Sequence, residues 1–199
     1  MPNPIIALDA DGVLLDYNLA YADAWEKAFG IYPAEKDPAA YSALDRWDVE
    51  VLTGEKLAQL RQSFQEDFWS DIPAMESALE GCDLLHKAGY ELVCVTALAD
   101  DFADTRRKNL QKLGFPIKTV YTVAHSESRR SPKADILDVI KPVAVVDDYL
   151  PYLVGVRQET HRALIMRGGR GSPNLGEDLR LISSQHHSLL AFSKWWIAR

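Results

Sequence analysis

The sequence predicts an α/β fold in which a parallel β-sheet has helices on both faces and a small helical cap is inserted after the first strand. Short apolar segments alternate with helix-length segments along most of the chain, which is typical of a parallel sheet. Residues 143–146 are apolar throughout, as expected of a strand covered on both faces. Residues 17–72 are helix-prone, rich in aromatic residues and too long for a plain crossover, which indicates an insertion.

Each element has its own local signal. The predicted strands are short apolar runs that end at polar or turn-forming residues, and they cover residues 5–8, 91–95, 118–123, 143–146 and 162–166. The predicted helices end at glycine or just before proline, and they cover about 17–29, 75–88, 101–113 and 133–140, with one more at the C-terminus. Asp16 precedes the first helix and is expected to be its N-cap.

The order of these elements divides the chain into two predicted units. Residues 1–16 and 73–199 are expected to form the α/β core, and residues 17–72 the helical cap. We expect the cap to close over the sheet edge with hinges near residues 16–17 and 72–73, because such a cover excludes water from a reaction.

Composition limits the classes of partner. The chain has 199 residues, 47% of them apolar, and a net charge of −7, which gives no electrostatic reason to expect a nucleic-acid polymer or an anionic membrane. No segment approaches the ~20 apolar residues of a membrane span, and the first residues lack a signal-peptide pattern. Cys82 and Cys94 are expected to be buried free thiols. We expect a cytoplasmic protein, either a monomer or a homodimer.

Polar residues follow several of the predicted strands. In an open parallel sheet, ligands bind outside the carboxyl ends of the strands, so residues far apart in sequence meet at one edge. A lysine at the start of a predicted helix is expected at the same edge. The candidate site residues are Asp9, Asp11, Thr96, Lys133, Asp147 and Asp148.

The aspartates predict a magnesium site. Asp9 and Asp11 flank one residue and precede a glycine, an arrangement that lets one carboxylate and one backbone carbonyl meet a hard cation. Asp147 and Asp148 supply further oxygen ligands, and we favour Asp147 as the direct one. Oxygen ligands without His or Cys favour Mg²⁺ over Zn²⁺. Like charges about 4 Å apart cost roughly 4 kcal/mol at an effective dielectric near 20, so a cation and Lys133 are needed before a phosphate can enter.

The same residues suggest a covalent phosphoryl transfer. The Asp9 carboxylate can attack phosphorus and form an aspartyl-phosphate. Asp11 can protonate the leaving oxygen and later activate water. Thr96 and the N–H groups after it can hold the transferred group, and Lys133 can balance charge on the nucleophile and the phosphate.

These segments resemble the four motifs of the haloacid dehalogenase (HAD) superfamily. Residues 9–16 resemble the first motif, Val95-Thr96-Ala97 the second, Pro132-Lys133 the third, and residues 145–148 the acidic fourth. The resemblance implies a Rossmann-like core with a cap of the C1 type, Mg²⁺ and an aspartyl-phosphate intermediate. Dehalogenases of this family lack the second aspartate of the first motif, so Asp11 favours phosphoryl chemistry.

The predicted function is therefore a Mg²⁺-dependent phosphomonoesterase for a small phosphorylated metabolite. A narrower alternative is a 5′-nucleotidase for (deoxy)nucleoside monophosphates, since Phe68-Trp69 and residues 146–151 resemble the 5′(3′)-deoxyribonucleotidase branch. An alternative of another class is a non-catalytic regulatory protein that binds Mg²⁺ or phosphate, which would have no use for a general acid at Asp11. Four aromatics of the insertion, Phe68 among them, recur at helical spacing that is more typical of a core, namely Trp25, Trp47, Phe64 and Phe68.

Overall fold

A computed structural model describes residues 2–126, 128–168 and 171–199 of the chain. Met1, Glu127, Gly169 and Arg170, which belong to the predicted core ranges, lie outside the described residues. The strands are β1 (Ile5–Leu8), β2 (Glu91–Ala97), β3 (Ile117–Val123), β4 (Ala144–Asp147), β5 (His161–Ile165) and β6 (Ser184–His186). In the described part of the chain they form one parallel sheet in the order β3-β2-β1-β4-β5-β6. The predicted α/β fold is confirmed.

The sheet register aligns the strand ends that carry the candidate site. Leu8, the last residue of β1, pairs with Cys94 of β2 on one side and with Val146 of β4 on the other. The residues that follow these three positions therefore emerge at one edge of the sheet. The strand order also reverses direction here, between the β1–β2–β3 half and the β4–β5–β6 half. Such a reversal opens a crevice at the carboxyl ends of the strands.

Helices cover both faces of the sheet. They are α1 (Tyr17–Phe29), α2 (Ala43–Arg46), α3 (Gly54–Arg61), α4 (Glu66–Ser70), α5 (Ala78–Lys87), α6 (Ala103–Lys112), α7 (Ala134–Ile140) and α8 (Leu189–Ile197). Short 3₁₀ helices lie at Asp100–Phe102, Leu150–Leu153 and Glu177–Leu181. Because successive strand side chains point to opposite faces, Ile6 packs with residues of α5, α6 and α8, while Ala7 packs with Leu137 of α7.

The C-terminal third differs in detail from the prediction. The last predicted strand begins one residue earlier, at His161, and a sixth strand, β6, follows it. β6 has three residues with a polar sequence at the edge of the sheet, so it carries no apolar signal. His186 is the last residue of this strand, and α8 begins at Leu189 with Ser188 as its N-cap.

Residues 17–72, here called the helical insertion, contain α1 to α4 and a small apolar cluster of their own. Tyr21, Trp47 and Leu60 are buried in this cluster. The predicted N-cap is confirmed, because the Asp16 carboxylate accepts a hydrogen bond from the Leu19 N–H at 3.1 Å. The division into a core and a movable cap stays a prediction.

The two chain segments that enter and leave the helical insertion lie side by side. The Asp16 N–H donates to the Pro73 carbonyl at 2.8 Å, and the Met75 N–H donates to the Leu14 carbonyl at 2.9 Å. Leu15 and Ala74 form the antiparallel bridge between these bonds. Among the described residues, no helix combines the length and apolar character that crossing a membrane requires. Cys82 and Cys94 are both buried free thiols, as predicted.

Candidate active site

The six candidate residues converge at the carboxyl edge of the sheet. Asp9 follows β1 directly, Asp147 is the last residue of β4, and Asp148 comes next. Thr96 lies within β2, which extends two residues further than predicted, and Lys133 directly precedes α7. All five of these side chains are buried, although four of them carry an ionisable group. Burial on this scale requires that the charges compensate one another.

Lys133 bridges two of the carboxylates. Its Nζ lies 2.7 Å from Asp9 Oδ1 and 2.7 Å from Asp147 Oδ2, and the side chain is fully buried. The ring of Tyr152 covers the ammonium group, with 4.6 Å between Nζ and the ring centroid. Burial alone would lower the pKa of Lys133, but the charges of Asp147 and Asp9 outweigh it and raise that pKa. Lys133 therefore stays protonated and fixes the orientation of both carboxylates.

Three carboxylates form a cluster that fits a divalent cation. Oxygens of Asp9, Asp147 and Asp148 lie within 4.8 Å of one another. Burial and repulsion from Asp9 raise the pKa of Asp147. Burial raises the pKa of Asp148 to about 6, against the opposing effect of Arg167. The cluster carries more negative charge than its neighbours balance, which is the condition that a bound cation relieves.

The two adjacent aspartates differ in how far their oxygens are already engaged. Asp147 accepts from Lys133 on Oδ2 and from the Tyr149 N–H on Oδ1, at 2.9 Å. Asp148 Oδ2 accepts from Arg167, with 2.6 Å to Nη2 and 2.7 Å to Nε. Both oxygens of Asp147 thus serve neighbouring groups of the core.

Arg167 is a site residue that the sequence analysis missed. It follows β5, and its guanidinium lies 4.7 Å from the ring centroid of Tyr41 in the helical insertion. It also donates to the Tyr41 backbone carbonyl at 3.4 Å. Arg167 therefore connects the carboxylate cluster with the helical insertion. Its place in a glycine-rich segment gave no sequence signal for this contact.

Asn174 fixes the backbone of the acidic pair. Its Nδ2 donates to the Asp148 carbonyl at 2.7 Å, and its Oδ1 accepts from the Leu150 N–H at 2.7 Å. The hydroxyl of Tyr41 donates to the same carbonyl at 3.3 Å. Asn174 is fully buried, so these bonds hold the loop after β4 in one conformation. Nothing in the sequence distinguishes this asparagine from an ordinary loop residue.

Asp11 lies apart from the three-carboxylate cluster. Its carboxylate is 3.0 Å from Nη2 of Arg106, a fully buried residue of α6 that the sequence analysis also missed. Burial raises the pKa of Asp11, and Arg106 opposes that rise. The predicted metal contact of Asp11 involves its backbone carbonyl, and that contact stays a prediction.

The turn after Asp11 requires glycine. Gly12 has a φ of 86°, in the left-handed region that favours glycine. A Cβ atom added there would lie 2.3 Å from Asp148 Oδ2 and 2.6 Å from Arg167 Nε. The absence of a side chain therefore lets the turn approach the acidic pair closely.

A cavity of about 410 Å³ opens between the sheet edge and the helical insertion. Asp9, Asp11, Thr96 and Asp148 line its sheet side. The remaining lining residues are rich in aromatic and polar groups, and they are Tyr17, Asn18, Tyr41, Ser42, Ala43, Trp69, Ala97, Tyr149, Tyr152 and Arg167. The aromatics that the sequence assigned to a core, Trp25, Trp47, Phe64 and Phe68, pack in the apolar cluster of the insertion instead of lining this cavity.

Comparison with family models gives no match, and a search of curated proteins finds no similar sequence. Solved structures, in contrast, match over nearly the whole chain. A HAD family hydrolase from Deinococcus radiodurans R1 with bound phosphate and sodium superposes with a TM-score of 0.62 at 16% identity, covering 98% of this chain and 97% of that one. A D,D-heptose 1,7-bisphosphate phosphatase from B. bronchiseptica, complexed with magnesium and phosphate, gives 0.53 at 16% identity and 98% coverage of both chains.

An L-2-haloacid dehalogenase from Xanthobacter autotrophicus also matches, with a TM-score of 0.60, 11% identity and 98% coverage of both chains. The chain therefore has the fold of the HAD hydrolases, as its motifs predicted. Because phosphatases and dehalogenases share this fold, the reaction has to be argued from the site itself.

Proposed function

We propose that this protein is a Mg²⁺-dependent phosphomonoesterase that acts on a small phosphorylated metabolite through an aspartyl-phosphate on Asp9. The observation that carries the proposal is the buried Lys133 held 2.7 Å from both Asp9 and Asp147, next to a cavity that Asp9 and Asp148 line. Asp9 lines the cavity on one side and contacts the ammonium group of Lys133 on the other. This is the arrangement that a carboxylate nucleophile needs.

In the first half of the reaction, an Asp9 oxygen attacks phosphorus and the bond from phosphorus to the ester oxygen breaks. The leaving oxygen takes a proton from the Asp11 carboxyl group, which lines the same cavity. Lys133 keeps Asp9 oriented and balances its charge. Thr96, at the floor of the cavity, can donate its hydroxyl to a phosphoryl oxygen.

In the second half, water attacks phosphorus while the Asp11 carboxylate accepts its proton. The bond between phosphorus and Asp9 breaks, which releases phosphate and restores both carboxyl groups to their starting forms. Asp11 thus acts first as an acid and then as a base, a use that a dehalogenase or a simple phosphate-binding protein would not have for it.

The residues that would hold Mg²⁺ are Asp9, Asp148 and the backbone carbonyl of Asp11. We place Asp148 ahead of Asp147 as the direct ligand, in contrast to the preference from sequence, because both Asp147 oxygens already accept hydrogen bonds. When bound, Mg²⁺ supplies the positive charge that lets a phosphate dianion approach three carboxylates. The heptose bisphosphate phosphatase that shares this fold is complexed with magnesium and phosphate, which supports a divalent cation at this site.

The proposal is tested by a hydrolysis screen over phosphorylated metabolites and p-nitrophenyl phosphate with Mg²⁺ present. We expect phosphate release by the wild-type protein, and no measurable release after addition of EDTA or in the Asp9→Asn variant. Asp83→Asn, in a surface pair with Lys87 on α5, is a control that keeps activity. Mg²⁺ binding without turnover on any phosphate would favour the regulatory alternative, and full activity of Asp9→Asn would refute the proposed nucleophile.

A second candidate narrows the substrate to (deoxy)nucleoside monophosphates. The aromatic side chains of Tyr17, Tyr41, Trp69, Tyr149 and Tyr152 around the cavity support it, because planar bases stack on aromatic rings. In the same screen we expect nucleoside monophosphates to exceed sugar phosphates in kcat/KM, and the opposite ranking would exclude this candidate. A cytoplasmic location is part of the proposal and is consistent with two buried free thiols.

A further inference from the structure

Arg106 is a buried cation with a single carboxylate partner among the described residues. Its side chain is fully buried on α6, and its Nη2 lies 3.0 Å from the Asp11 carboxylate. Its Nε and Nη1 have no hydrogen-bond acceptor in the described part of the chain. Buried arginines normally satisfy several donors at once, so such an incomplete set has a cost in stability that a purely structural residue would avoid.

The other neighbour of Arg106 belongs to the helical insertion. The guanidinium carbon lies 5.3 Å from the ring centroid of Trp69, within the range of a cation–π contact. Trp69 in turn lines the cavity together with Asp11. Arg106 therefore contacts the helical insertion through the ring of Trp69 and the sheet side of the site through the carboxylate of Asp11.

Asn109, on the same face of α6, holds Trp69 in place over Arg106. Its Nδ2 donates to the carbonyl of Ser70, the last residue of α4, at 2.9 Å and to the carbonyl of Ile72 at 3.1 Å. These bonds tie the C-terminal end of α4 to α6 and so fix the position of the indole ring. Arg106 and Asp11 are 95 residues apart in sequence, so tertiary packing, and not local structure, brings them together.

We propose that Arg106 is a positioning residue for the phosphomonoesterase reaction: through its ion pair it holds the Asp11 carboxyl group on the leaving-group side of the cavity, and through Trp69 it couples that position to the helical insertion. The inference rests on the proposed function. It concerns the position of Asp11 and therefore the proton that the leaving oxygen receives as the ester bond breaks. Esters whose leaving group is stable as an anion need that proton least.

The test compares kcat/KM for three aryl and benzyl esters of similar size: p-nitrophenyl phosphate, phenyl phosphate and benzyl phosphate. Because kcat/KM reports the steps up to formation of the aspartyl-phosphate, it isolates the protonation of the leaving group. In Arg106→Met we expect a loss below about 3-fold on p-nitrophenyl phosphate and about 30-fold or more on benzyl phosphate, within the range of general acid catalysis. Phenyl phosphate should fall between them.

Four further variants define the effect. Asp11→Asn should give the same order of losses with larger values, and the double variant should lose little more than Asp11→Asn alone, because both changes act on one group. Arg106→Lys, which keeps the charge, should recover part of the loss on benzyl phosphate. Arg107→Met, at the next and partly exposed position of α6, is the matched control and should leave all three rates unchanged.

An equal loss on all three esters would overturn the positioning role and leave a structural one. If Arg106→Met shows no cooperative melting transition, Trp69→Leu carries the test, and we expect from it the same order of losses at smaller size. A wild-type protein that hydrolyses neither these esters nor any phosphate of the metabolite screen would refute the proposed function. Activity in the wild type with uniform losses in the variants would refute only the role of Arg106.

Discussion

The two sides of the cavity are built from different interactions. On the sheet side, Asp9, Lys133 and Asp147 are buried and joined by ion pairs of 2.7 Å, at positions that the strand ends dictate. On the insertion side, aromatic rings such as Tyr17 and Trp69 pack on one another with 6.3 Å between their centroids. Directional charges fix one side, whereas adaptable apolar contacts form the other. If the proposed function holds, we infer from this difference that backbone topology sets the reaction and that replaceable side chains set the choice of substrate.

Removal of the Lys133 ammonium group should produce the largest effect on activity and stability. A small effect would mean that charges do not fix the sheet side of the cavity. In Lys133→Met we expect kcat/KM to fall about 10²–10³-fold for every substrate, because a preorganised charge is lost next to the nucleophile. Stability should fall by about 3–5 kcal/mol, since two buried carboxylates lose their partner. Urea unfolding and hydrolysis of p-nitrophenyl phosphate measure both quantities.

Lys108→Met is the matched control, because Lys108 forms an exposed pair with Asp104 on α6 and should change stability by less than about 1 kcal/mol. Wild-type stability in Lys133→Met would mean that the two carboxylates do not depend on this ammonium group.

A change on the insertion side should alter selectivity and leave the reaction intact. In Tyr17→Leu we expect about a tenfold change in the ratio of kcat/KM between two metabolites that differ in the group attached to phosphate, with similar kcat on p-nitrophenyl phosphate. Kinetics on the best and second-best substrates of the screen measure this ratio. Tyr32→Leu, a half-exposed residue of the insertion that does not line the cavity, should leave it unchanged. A uniform loss across substrates in Tyr17→Leu would place this ring in the reaction itself.

The smallest expected effect is a pH dependence confined to the sheet side. Burial raises the pKa of Asp148 to about 6, from about 3.9 in an unfolded chain. The folded state then binds the proton more tightly, so this contribution to stability is present below about pH 4 and is lost as the pH rises through 6. After EDTA treatment we expect the melting temperature to fall by a few degrees between pH 5 and 7.

Calorimetry with and without Mg²⁺ sharpens this prediction. Mg²⁺ should restore the melting temperature at pH 7, because an ion that binds only the folded state stabilises it. Asp148→Asn should reduce the pH dependence between pH 5 and 7 without removing it, because burial also raises the pKa values of Asp147 and Asp11. Tyr17→Leu should retain it in full. A melting temperature that rises with pH over this interval in the EDTA-treated wild type would contradict the assignment.

The sequence was sufficient for the sheet side because its geometry follows from strand ends. Once a parallel sheet was predicted, Asp9, Thr96 and Asp147 had to meet at one edge, whatever the details of packing. Lys133 followed from its place at the start of a helix near the same edge. The structure brings all of these residues together.

The two arginines of the site could not be found in the same way, because their partners are chosen by tertiary packing. Arg106 belongs to the charged run 106–108, which suggests a solvated helix face. Only its spacing from Asn109 and Leu110, both buried, indicates the inner face of α6. Arg167 acquires its role from contacts with Asp148 and Tyr41. No sequence pattern links Arg167 to either of these residues.

The paired backbone segments at the base of the helical insertion bear on how this chain can be altered by evolution or by design. Residues 14–16 and 73–75 are already hydrogen-bonded across from one another, so the ends of the insertion meet at a fixed distance regardless of what lies between them. Lengthening, shortening or exchanging the intervening segment would leave the relative positions of β1 and α5 unchanged. Such a scaffold can accept a different insertion, and with it different substrates, while the residues at the strand ends stay in place.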